Sequence, residues 1–136
     1  MNEESIFRVV ELTNIERSQA GLSPLKFNPV LGAVAQKHSV DMALNDFFSH
    51  TGSTGSQIGD RISAQGYKSS YSGENISAGS STPDEAVTAW MNSDGHRTNI
   101  LNPHFQEIGV GYYFLANDTG EVNYTYYWTQ VFATPQ

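Results

Sequence analysis

The spacing of apolar positions changes once along the chain, from helical in the first two thirds to alternating in the last. Over residues 3–20, Ile6, Val9, Val10, Thr13 and Arg17 recur at helical spacing and Gly21 follows, which predicts an amphipathic helix with a glycine stop. A second helix is predicted over residues 29–45. Asn28 suits its N-cap, Pro29 its first turn, and Val30, Leu31, Val34, Ala35 and Met42 form its stripe, with His38 on the same face. Ile58 and Ile62, four apart, predict a shorter helix over residues 57–65. Thr82-Pro83-Asp84-Glu85 then has the composition of a capping box. Behind it Val87, Trp90, Met91 and Asp94 continue a helix to Gly95, and a final turn over 96–101 stops at Asn102-Pro103.

Residues 69–81 are small and polar around Gly73-Glu74-Asn75-Ile76, which reads as a short strand leading into a loop. From Glu107 the period is two. Ile108, Val110, Tyr112 and Phe114 alternate with Glu107, Gly109, Gly111 and Tyr113, and alternation resumes over 122–132 after the turn residues 116–120. Aromatic residues on both parities of that second arm, Tyr126 and Trp128 against Tyr127, predict a sheet covered on both faces. Gly109 and Gly111 predict a close approach of another element to one of those faces. Helices followed by antiparallel strands make this an α+β chain, read as one domain over residues 1–136.

The absence of cysteine rules out disulfides and thiolate chemistry, so packing alone must hold the fold. Fourteen acidic against seven basic residues give a formal charge of -7, and the basic residues are scattered, which argues against a nucleic-acid partner. No apolar run reaches the ~20 residues of a membrane span. Three short motifs concentrate chemistry at segment ends: Phe47-Phe48-Ser49-His50, Gly73-Glu74-Asn75-Ile76 and Gly95-His96-Arg97. His38, on an apolar stripe, reads as a hydrogen-bonded core residue, and His104, after Pro103, as exposed. Trp90 and Trp128 read as packing residues.

In their order and spacing these motifs, with Asn14, Arg17 and Trp128-Thr129-Gln130-Val131, resemble the CAP superfamily of cysteine-rich secretory, antigen 5 and pathogenesis-related proteins, also called SCP-like. The run from Ala89 to Leu101 is similar to the bacterial branch in particular. The resemblance implies a three-layer α-β-α sandwich with a central antiparallel sheet. It also implies a cleft of two histidines and two glutamates suited to a divalent cation. His50 and Glu74 match the first histidine and one glutamate. Ser93 stands where the second glutamate belongs, and Tyr127 where the second histidine belongs. His96 is the candidate to fill the vacancy, with Asp94 or Tyr127 at the margin.

Two imidazoles and a carboxylate, if they converge, suit a zinc-like ion with one position left for water. The same residues also suit ordinary hydrogen bonding to backbone, or a metal-free base with its orienting acid. Two functions lead, beside a vestigial cleft with the aromatic hairpin surface mediating protein contacts. One is a secreted or cell-envelope binding module using His50, Glu74 and His96, with His50 and His96 as the metal ligands and a lipid, peptide or glycan as partner. The other is a metal-dependent hydrolase acting on peptide or cell-wall material, with the same three residues as catalytic candidates.

Overall fold

The computed structural model describes residues 2–136. Five helices and four strands follow in the order α1 (Asn2–Gln19), β1 (Lys26–Phe27), α2 (Pro29–Leu44), α3 (Ile58–Ala64), β2 (Ser69–Ala78), α4 (Pro83–Met91), α5 (Asp94–Ile100), β3 (Glu107–Phe114) and β4 (Tyr126–Pro135). The sheet has the strand order β1-β3-β4-β2, antiparallel except where the two-residue β1 runs parallel to β3.

Helices cover both faces, as the aromatic parities predicted. On one face Leu31, Val34 and Ala35 of α2 and Ile62 of α3 pack on Val131 and Ala133. On the other, Val9 of α1, Val87 and Trp90 of α4 and Ile100 of α5 pack on Ile108, Val110, Trp128 and Phe132. The expected three-layer α-β-α sandwich is therefore present. Gly109 and Gly111 set the spacing of the first face. A Cβ at either position would overlap the α2 backbone at Leu31–Gly32 and Ala35–Gln36, so only glycine lets the helix lie directly on β3.

Capping fixes where α2 and α4 begin. The Asn28 side chain accepts the amide of Val30 at 2.8 Å, and the Thr82 hydroxyl accepts the amide of Glu85 at 3.1 Å. Three boundaries depart from the sequence reading. Residues 69–78 form a full strand of ten residues, because pairing with β4 runs from Ser69 to Ala78. Helix α4 stops at Met91, where the Asn92 amide turns back to Thr88 and Trp90, and α5 starts afresh at Asp94. The second hairpin arm begins at Tyr126 because Asp46 takes the amides of Glu121 and Val122, at 2.9 and 2.8 Å, and Asp118 that of Thr125, at 3.1 Å, which draws this stretch out of the sheet.

Strand β2 is an outer strand, and side chains cover part of its backbone. Trp90 donates its indole N–H to the Ile76 carbonyl at 3.0 Å, and Asn99 donates to the Glu74 carbonyl at 3.2 Å. Groups that would otherwise template another strand are thereby occupied.

Candidate functional site

Alternation along β2 sends Glu74 towards α2 and Asn75 towards α5. Glu74 is taken almost wholly out of water, its side chain 2% exposed, and each carboxylate oxygen has a partner. Oε2 accepts from Arg61 Nη2 at 2.7 Å, and Oε1 accepts from His50 Nδ1 at 2.9 Å. Arg61 comes from α3, where the Ile62 stripe turns it inward. Its Nη1 also donates to the carbonyls of His50 and Ser56 at 2.9 and 2.8 Å, so one guanidinium ties the loop after α2 to the carboxylate. A buried carboxylate without such a partner would carry an uncompensated charge.

His50 faces outward from this arrangement, its side chain 54% exposed. Because Glu74 accepts at Nδ1, the neutral ring carries its proton there and leaves the Nε2 lone pair free. His38 lies behind. It is fully buried, donates Nε2–H to the Ser49 carbonyl at 2.8 Å and sits 4.0 Å from Glu74 Oε1. Burial pushes its pKa below the ordinary histidine value despite the pull of Glu74, so it is a neutral core residue, as its place on the apolar stripe predicted.

On the opposite face, Asn75 is held by neutral amides. Its Nδ2 donates to Gln130 Oε1 and to the His96 carbonyl, each at 3.1 Å, its Oδ1 accepts from Asn99 at 2.9 Å, and Gln130 continues to the Thr13 hydroxyl at 2.8 Å. This network fixes the start of α5 and with it His96. His96 is half-buried, and its pKa is lowered first by burial and then by the charge of His50. Among the described residues the His96 ring bonds to neither His50 nor Glu74.

His50 and Glu74 therefore meet directly. The marginal residues do not join them. Ser93 is the half-buried N-cap of α5, and Asp94 points to solvent, 93% exposed, paired with Arg97 at 2.7 Å. Tyr127 is fully buried under α2 with Met42 and Ile76, and its hydroxyl is tied to Asp118 and Val122. Among the described residues no group of three or more His, Asp or Glu side chains is arranged to hold a metal ion. With both oxygens committed, Glu74 does not suit direct ligation. Glu74 instead braces the His50 ring from behind and leaves its Nε2 unengaged. Surface clefts of 390–440 Å³ are lined by residues other than His50, Glu74 and His96.

Residues 10–132 match the cysteine-rich secretory protein family, CAP. The chain belongs to this family. It is 44% identical over 125 residues to the uncharacterized protein YkwD of Bacillus subtilis (strain 168), a match covering 92% of this chain and 45% of that protein. An extracellular protein containing an SCP domain from Bacillus anthracis str. Ames superposes with a TM-score of 0.84 at 34% identity, over 97% of this chain and 41% of the other. An outer surface protein of Borrelia burgdorferi shares the fold, with a TM-score of 0.81 at 19% identity over 94% of this chain and 90% of that one. The chain spans less than half the length of the curated relative from Bacillus subtilis.

Sequence reasoning about this CAP domain missed Arg61, which reads as one of several scattered basic residues. Its signal was its place beside Ile62 on a short helix, where an inward arginine needs a buried acid, and Glu74 was the acid available. No comparable signal marked Tyr127 as closed, because its partner Asp118 sits in a loop whose path the alternation does not describe.

Proposed function

We propose that this CAP domain works outside the cytoplasm as a binding module, with the His50–Glu74 face as its contact surface. The supporting observation is the commitment of Glu74. Arg61 neutralises its charge and His50 occupies its other oxygen, so the group best placed to act as general base or metal ligand in hydrolysis is already engaged. What remains is an outward imidazole whose orientation is fixed from behind and whose Nε2 is free to accept a hydrogen bond or a cation. The extracellular relative from Bacillus anthracis supports the location. A divalent cation such as zinc would be held by His50 and His96 and would supply Lewis acidity at the surface. A lipid, peptide or glycan head group remains the general class of partner.

Calorimetric titration of the chelator-stripped domain with zinc, alongside a peptide and cell-wall hydrolysis assay, tests this reading. We expect saturable heat that disappears in a His50→Ala/His96→Ala double variant, and no turnover with or without metal. Chelator-sensitive turnover that Glu74→Gln lowers by orders of magnitude would replace the binding reading with the hydrolase.

A further inference from the structure

A second feature of β2 lies on the Asn75 side, at its Ser69 end. Between Ser69 and Tyr71 the register with β4 slips by one residue, from Ser69 opposite Pro135 to Tyr71 opposite Thr134, so that Ser70 is extra. A bulge of this kind redirects the next side chain, and here that side chain is Tyr71. Tyr71 is 48% exposed yet firmly supported. It stacks on Phe105 with centroids 5.1 Å apart, and Phe105 stacks on the fully buried Phe132 at 5.3 Å. Gly73 makes room for this column, since a Cβ there would lie 2.8 Å from the Phe105 ring.

The column borders a cleft of about 440 Å³ lined by Ser70, Tyr71, Pro103, His104, Gln106 and Thr134. The loop that brings Pro103 and His104 to it is preset, and the His104 ring packs edge-on against Tyr71 with centroids 5.6 Å apart. Arg17, fully buried, donates to the carbonyls of Ile100 and Asn102 at 2.9 and 2.8 Å, and the Asn102 side chain accepts the His104 amide at 2.9 Å. The Thr134 hydroxyl donates to the His104 carbonyl. A second cleft of about 410 Å³ shares Pro103 and His104 and is lined also by Arg97.

We propose that this groove is a binding subsite for a neutral, pyranose-containing glycan, with Tyr71 as the stacking platform. An exposed aromatic ring whose motion is already restricted can stack on the C–H face of a sugar at little entropic cost. The first cleft offers hydroxyl, amide and imidazole groups, and no carboxylate, lysine or arginine lines it, which suits an uncharged polyol. The chain's formal charge of -7 disfavours anionic glycans.

Nuclear magnetic resonance titration of the labelled domain with chitotetraose and cellotetraose tests this, with tetra-alanine and tetragalacturonate as competing chemistries. The expected result is a saturable shift at Tyr71, His104 and Gln106 with a neutral tetrasaccharide. Tyr71→Ala lowers that affinity by about tenfold or more, and Tyr71→Phe stays within about threefold, because stacking rather than the hydroxyl carries the contact. Unaltered amide shifts away from the substitution establish that both variants fold. Absence of saturable shifts, preference for tetra-alanine or tetragalacturonate, or unchanged affinity in Tyr71→Ala would each overturn the proposal.

Discussion

Glu74 and Asn75 are neighbours in sequence, both buried and both polar, yet alternation places them on opposite faces of β2 and they are satisfied in different ways. Asn75 joins a chain of neutral amides from Thr13 to Asn99 that holds backbone in place. Glu74 joins a charged set that begins at Arg61 and ends at a half-exposed imidazole. The contrast teaches that polar burial serves two purposes here. The amide side fixes position, whereas the charged side carries polarity from the interior to the surface.

Removing one member of the charged set should have the largest effect. Arg61→Ala leaves Glu74 buried without its counter-charge and releases the His50 and Ser56 carbonyls, so a loss of about 3–5 kcal/mol is expected in urea unfolding. A loss below about 1 kcal/mol would mean that Glu74 is hydrated and that the contrast with Asn75 is false. On the other face Asn75→Ala strands Gln130 and Asn99, with an expected cost of about 2–3 kcal/mol in the same measurement. Its distinguishing mark is a disturbed His96 amide resonance while that of His50 stays in place.

The smallest effect is pH dependence, and it divides the two faces. Burial lowers the pKa of His38 on the Glu74 side, and burial with the charge of His50 lowers that of His96 on the Asn75 side. A lowered histidine favours the neutral ring in the fold. Its contribution is complete above the unfolded value of about 6.5 and is lost as pH falls from there through the folded value. Melting temperature should therefore decline below about pH 6.5. His38→Gln should remove one part of the slope and His96→Gln another. A slope untouched by either substitution would place the titrating groups elsewhere.

The layers were legible in sequence because period and caps state them directly. Asn28-Pro29 and Thr82-Pro83 mark helix starts, and the parity of Tyr127 and Trp128 shows that both sheet faces are covered. Boundaries set by tertiary hydrogen bonds were not legible. Asp46 and Asp118 draw residues 121–125 out of the sheet, and nothing in the alternation shows an aspartate arriving from elsewhere. The site divides in the same way. His50 and Glu74 stand at segment ends within motifs, so they could be read. Arg61 could not, because its role depends on the packing of α3 against β2. Asp94 reads as a continuation of the α4 stripe only because the break at Asn92 has no proline to announce it.

Glu74 holds His50 by Nδ1 and turns Nε2 to solvent, and the rest of the functional reading depends on this one contact. Long-range proton–nitrogen correlation of the neutral imidazole reads the tautomer directly. The expected result is a proton on Nδ1 of His50 in the wild type and a shift towards the Nε2–H form in Glu74→Ala. An Nε2–H ring in the wild type, unchanged by that substitution, would contradict it.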